Sequence, residues 1–226
     1  MSGERRREIV RDGIGVGVAT GAYGLSFGAL GVAAGLSVAQ TCALSLLMFT
    51  GASQFAFIGV VASGGAPLAG AVSAILLGTR NALYGLRVAP MLGLGGRHRL
   101  LAAQLVIDES TAMGIAHDHD GHGHVGFWAG GLGVYVFWNL GTLVGALGAR
   151  FLPDPTALGL DAAVPAAFLA LLGPRLRGGR PVVVALAAGI VALALAPVVP
   201  AGVPVLAAAL VAVLAGWNAG RTGATT

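Results

Sequence analysis

Lysine is absent from this chain and cysteine nearly so. All thirteen basic residues are arginine. Without lysine there is no Gly-x-x-x-x-Gly-Lys loop to cradle nucleotide phosphates, so an ATP-driven step would need another subunit. The single thiol, Cys42, excludes an intrachain disulfide and leaves the redox compartment unread. Charge is scarce as well. Only 10% of residues are Asp, Glu, Lys or Arg, against about 25% in a soluble domain, which excludes an ordinary soluble fold. All five histidines (His98, His117, His119, His122, His124) lie outside the apolar runs, so no Ser–His dyad can assemble inside them, and an enzyme is not expected.

What the chain does have is apolar length. Of its 226 residues 56% are hydrophobic, and the mean hydropathy is +0.86. At roughly 20 residues per span this allows seven or eight membrane helices in one all-α polytopic bundle. We read a basic cytoplasmic N-terminus over 1–12, a single transmembrane domain over 13–219 with a polar His-rich loop at 117–124, and a short tail over 220–226. The apolar run after the basic stretch is too long and too glycine-rich for a cleaved signal peptide. The expected segments are 13–35, 40–62, 68–88, 100–116, 125–149, 157–172, 182–197 and 203–217, with Arg97-His98-Arg99 in a loop after Pro90.

The net charge of +4 does not point to nucleic acid. Arg5, Arg6, Arg7 and Arg11 precede the first span, and Arg175, Arg177 and Arg180 cluster in a late loop. That distribution suits anionic lipid headgroups and the orientation of a protein in the cytoplasmic membrane. With eight crossings both groups fall inside, whereas the Arg97–Arg99 loop falls outside, against the same tendency. Glycine recurs at spacing four in the first span (17/21, 24/28, 31/35), which predicts close helix packing. The pairs 126/130 and 141/145 are weaker signals, since a chain with 38 glycines produces some such matches by chance.

Three polar clusters interrupt the apolar sequence. A charge at the centre of a membrane helix costs about 2.5–3.5 kcal/mol on insertion scales, so such groups pair, line a wet cavity or do chemistry. Gly51-Ala52-Ser53-Gln54 combines small residues with a hydroxyl and an amide, and predicts a broken helix whose freed N–H groups hold a carboxylate. Plain helix packing, with Ser53 and Gln54 bonded to backbone, fits equally well. Gly78-Thr79-Arg80-Asn81 brings a guanidinium, with Tyr84 four residues on along the same face. Arg80 would bind a substrate carboxylate or neutralise an acid of the bundle. Asp108 and Glu109 point about 100° apart on a helix and are not expected to share one site. One would pair with Arg80 and the other carry a proton. A second helix break is expected at Val164-Pro165-Ala166-Ala167-Phe168, echoing the first as paired breaks do in transporters built from two repeats. The octet 117–124 places His117, His119, His122 and His124 beside two aspartates, a composition suited to zinc, in what reads as a flexible loop.

These residues carry a family resemblance. Phe49-Thr50-Gly51-Ala52-Ser53-Gln54-Phe55 resembles the signature of AzlC-type proteins, the large subunits of bacterial branched-chain amino acid exporters. Arg80-Asn81-Ala82-Leu83-Tyr84-Gly85, the Asp108-Glu109 pair and Asp161-Ala162-Ala163-Val164-Pro165-Ala166-Ala167-Phe168 are similar to further motifs of that family, in the same order. The resemblance implies a secondary transporter that exports Val, Leu or Ile together with a small AzlD-like membrane subunit, and no cofactor. Gly51, Ala52, Ser53, Gln54, Arg80, Asn81, Tyr84 and Pro165 are the expected substrate contacts, and Asp108 and Glu109 the expected proton carriers. A divalent-metal transporter or metal-gated protein using the octet is the alternative.

Overall fold

A computed structural model of the chain describes residues 3–151, 169, 172–173, 176–199 and 203–222, with residues 217–222 described by backbone alone. Among these residues there are nine α-helices and no strand. They are α1 (Gly3–Ala33), α2 (Val38–Leu47), α3 (Ala52–Ala62), α4 (Pro67–Leu92), α5 (Gly96–Gln104), α6 (Asp108–Ala116), α7 (Gly123–Gly148), α8 (Gly179–Leu195) and α9 (Val203–Thr222), with a 3-10 turn (Ala149–Phe151) closing α7.

Helices α1 and α7 form the spine. At 31 and 26 residues they are about 46 and 39 Å long, more than the ~30 Å of a bilayer core, and both are apolar enough to cross one. Glycine lets them touch backbone to backbone. A Cβ on Gly13 would lie 2.7 Å from the Ala129 carbonyl carbon, and one on Gly17 2.5 Å from that of Gly133. Gly24 meets Trp138, and Gly28 meets the Thr142 carbonyl. These contacts advance in the same direction along both helices, so the two run parallel. Glycines of α7 complete the seam: Gly141 packs on Gly21 and Gly145 on Leu25, while Gly126 and Gly130 face Met113 of α6. The pairs 126/130 and 141/145, weak signals in the sequence, are therefore packing positions. Gly35 is not one; it lies beyond α1 at φ +94° with nothing near its Cβ position.

A parallel spine requires an odd number of passes across the bundle between α1 and α7. One is available: α4 runs from Gly70, beside Phe57 of α3, to Met91, beside Gly123 at the start of α7. Each broken pair turns back. α2 starts where α1 ends, with Thr41 against Gly31, and α3 returns to the start of α4, with Ser53 at Gly78 and Phe57 at Gly70. α5 starts where α4 ends, and α6 runs back along α7 from Glu109 at Gly130 to Met113 at Gly126. Both pairs are therefore re-entrant, not the crossings expected of 40–62 and 100–116.

The segment 40–62 is thus a broken helix, as expected. Ser37 starts α2 with a reciprocal cap, accepting from the Gln40 backbone at 3.1 Å while the Gln40 side chain accepts from Ser37 at 2.8 Å. The break ends at Gly51, whose φ of +62° and ψ of −85° only glycine adopts freely. Segment 100–116, expected as one helix, is also broken. Leu105 ends α5, and Ile107 is extended at φ −132°. Ser110 closes the corner by accepting from the Ile107 N–H at 3.1 Å and donating to the Leu105 carbonyl at 2.6 Å.

Other expectations need correcting. The basic stretch 3–12 is helical and continuous with α1. Pro90 lies within the last turn of α4, which runs on to Gly93 in the left-handed conformation that stops it. Arg97, His98 and Arg99 form the first turn of α5, not a loop. The octet is no loose loop either: α6 ends at Ala116, with His117 as its cap, and α7 begins at Gly123. The His122 N–H bonds the His117 carbonyl at 2.9 Å, and Arg5 reaches across to Asp120 at 3.1 Å. The expected break at 164–168, with Pro165, lies outside the described residues.

Candidate functional site

The two broken helices deliver their second halves to one place. The N-terminal ends of α3 and α6 open on a cavity of about 200 Å³ in the middle of the bundle. Phe49, Thr50, Gly51, Ala52 and Phe55 line it from the first break and from α3; Ile107, Asp108 and Glu109 line it from the second. Arg80 enters from α4, Thr20 and Tyr23 from α1, and Val134 and Trp138 from α7. This volume is below the 300–1,000 Å³ of drug-sized pockets and suits a small metabolite.

The polar half of the cavity is built from charges of both signs. Arg80 Nη1 lies 3.1 Å from Asp108 Oδ2, with both side chains about three-quarters buried (24% and 25% exposed). Each compensates the other's partial loss of water, so removing one would strand its partner. Among the described residues the ion pair of Arg80 is with Asp108 and not with Glu109. Both acids sit in the first turn of α6, where the helix dipole favours negative charge. Opposite them, no side chain caps the N-terminus of α3, where the N–H groups of Ala52, Ser53 and Gln54 lead the helix. Such an end favours an anion. Asp108 and Glu109 therefore line the same cavity, contrary to the expectation from their helical offset; at the first turn of a short helix that ends in the cavity, both faces are open to it.

The apolar half is an aromatic corner. The Phe27 and Phe55 rings meet edge to face at 5.7 Å, and Trp138 lies 6.2 Å from Phe27 and 6.1 Å from Phe55. Thr50 Oγ1 and Trp138 Nε1, both of cavity-lining residues, are buried with no hydrogen-bond partner among the described residues. A buried unpaired polar atom is costly.

Of the other expected contacts, Ser53 is buried on α3 outside the lining and faces Gly78 of α4, where a Cβ would sit 3.5 Å from Ser53 Oγ, an ordinary contact. Gln54 is fully buried and donates to the Leu44 carbonyl at 3.3 Å, a bond back across the break. Asn81 and Tyr84 lie outside the lining; Asn81 Oδ1 is buried with no hydrogen-bond partner among the described residues, and Tyr84 packs against the apolar core. Thr20, Tyr23, Val134 and Trp138 were not anticipated from sequence. They come from the two long helices, whose few polar and aromatic side chains were the available signal. As for the histidines, the described residues bring no three of His, Cys, Asp or Glu together as a metal site.

The family model described as AzlC protein matches residues 15–152. An uncharacterized membrane protein of Archaeoglobus fulgidus is 33% identical over 196 residues, covering 85% of this chain and 86% of that protein. No solved structure matches the chain. The chain belongs to the AzlC family of transport-related membrane proteins.

Proposed function

We propose that this chain is the large subunit of a secondary transporter that exports branched-chain amino acids across the cytoplasmic membrane, and that the cavity between the two helix breaks binds the substrate. The observation that carries this reading is the complementarity of the cavity to a small zwitterion with an aliphatic tail. The uncapped end of α3 offers its first N–H groups, at Ala52, Ser53 and Gln54, to a carboxylate, with Arg80 alongside. Asp108 and Glu109 face the ammonium group across the same space. Phe55, Ile107, Val134 and Trp138 give the side chain an apolar wall. Asn81 and Tyr84 brace α4 behind Arg80. A small AzlD-like subunit completes the assembly, as the family resemblance implies.

Coupling to protons falls to Glu109, because Asp108 is held by Arg80 and the second carboxylate is not. A carboxylate that lines the substrate cavity and takes a proton as the site empties would exchange one cargo for the other. In cells co-expressing the small subunit, Glu109→Gln should slow efflux of preloaded leucine and make what remains indifferent to an imposed pH gradient. Efflux from the variant that still follows the gradient would remove Glu109 from the coupling path.

A further inference from the structure

The last carbonyls of a helix have no partners within it, and inside a membrane they must find some. At the end of α2 two other elements supply those of Leu46 and Leu47, and a third adds to that of Leu44, which the Met48 N–H already bonds at 2.9 Å. Gln54 of α3 donates to the Leu44 carbonyl at 3.3 Å. Tyr135 of α7 reaches the Leu46 carbonyl at 3.4 Å, with its ring edge-on to Phe49 at 4.9 Å. Gln104 of α5 donates to the carbonyls of Leu46 at 2.9 Å and Leu47 at 3.3 Å.

Gln104 differs from the other two in where it stands. It is the last residue of α5, and the chain beyond it turns through 105–107 to deliver Asp108 and Glu109. Its acceptors are the last residues of α2, and the chain beyond them turns through 48–51 to deliver Gly51 and Ala52. One side chain thus joins the two breaks. Little else holds α5: only Ala102 of this helix is buried, and Leu100 and Leu101 are 74% and 58% exposed.

We propose that Gln104 is a positioning residue that ties the ends of α2 and α5 together, so that the two breaks move as one body and present both polar ends to the cavity at once. The tie itself follows from the bonds above. Its consequence for transport rests on the proposed function, and the two are read separately. In purified full-length chain, Gln104→Met keeps the length of the side chain and removes the donor. Hydrogen exchange at 46–52 and at 103–109 should then quicken together by about fivefold, the scale of one lost hydrogen bond, while the α1–α7 spine is unchanged. Exchange that quickens only in α5, or nowhere, would overturn the tie.

The second measurement asks whether the ends move together. In a Cys42→Ser background, Leu47→Cys and Gln104→Cys joined by a short bifunctional thiol reagent should retain leucine efflux within about twofold of the unjoined pair, because a fixed link replaces a bond that is not broken. Blocked efflux after linking would show that the ends must separate and would overturn the proposal. For Gln104→Met the maximal efflux rate should fall several-fold, with half-saturating leucine unchanged within about twofold, since the residue does not line the cavity. A wild-type chain that exports no leucine would sink the transport reading and leave the exchange result to decide the tie.

Discussion

Arg80 and Asp108 are the residues on which structure and chemistry lean at once. Their side chains meet at 3.1 Å in partial burial, so each is a bundle stabiliser as well as a cavity wall. Replacing Arg80 with Gln strands the carboxylate of Asp108, a loss of about 3–5 kcal/mol if burial were complete and less at this exposure. The Asp108→Asn single variant should be destabilised in the same way, and the Arg80→Gln/Asp108→Asn double variant by less than the sum of the two. Thermal midpoints of the four purified proteins check this; simple additivity would mean that the pair contributes nothing as a pair. Gly51 makes the complementary case, in which space is available and conformation is not. A Cβ there would meet only Trp138 at 3.8 Å, an ordinary contact, yet φ of +62° with ψ of −85° strains any other residue by about 1–3 kcal/mol. Gly51→Ala should therefore insert and fold while misdirecting the end of α3.

At the scale of the element, the α1–α7 seam separates glycines that pack from glycines that do not. A Cβ on Gly28 would collide with the Thr142 carbonyl, whereas one on Gly15 would meet nothing. Gly28→Ala should lower the thermal midpoint by several degrees, while Gly15→Ala should hold or slightly raise it, since alanine favours the helix by about 0.5–1 kcal/mol. Equal effects of the two would contradict the seam. The same elements show what was legible beforehand. The first break was announced by Gly51 and its polar neighbours, because glycine marks the left-handed turn and side-chain amides mark the freed backbone. The second break was hidden in Leu105-Val106-Ile107, three apolar residues that read as ordinary membrane helix. Its signal was the acidic pair itself, since Asp and Glu favour a helix's first turn. Pro90 misled in the opposite direction, as a proline near the end of α4 suggested a boundary that the helix does not take. Trp138 and Val134 were out of reach, because apolar pattern alone does not say which face of a long helix meets a cavity.

At the scale of the whole molecule, the N-terminal ends of α1 and α7 are fastened together. Arg5, in the first turns of α1, bonds Asp120 in the turn before α7 at 3.1 Å and Glu8 at 2.7 Å. The hydrogen bond from Arg5 holds the Glu8 carboxyl below its ordinary range. Burial pushes Asp120 up, but hydrogen bonds from Arg5 and from His122 outweigh it and leave that carboxyl low as well. A depressed carboxyl stabilises the fold above its unfolded pKa, near pH 4, and that contribution disappears as pH falls through the folded value. The thermal midpoint should thus drop with acidification below about pH 4, and Arg5→Gln should flatten the drop. An unaltered pH profile in the variant would mean that the clasp does not form. The clasp joins the N-terminal ends of two parallel helices, and it is this parallel spine that brings Tyr23 and Trp138 to the lining of one cavity together with the two breaks.

The most direct test of the account is efflux of preloaded labelled leucine and valine from cells that express this chain with its small partner, wild type beside Gly51→Ala at matched membrane levels. The account predicts rapid efflux from the wild type and at least about tenfold slower efflux from the variant, because a misplaced end of α3 no longer meets the substrate carboxylate. Equal efflux from both would contradict the assignment of the cavity as the binding site, and no leucine or valine efflux from either would contradict the assignment of the substrate.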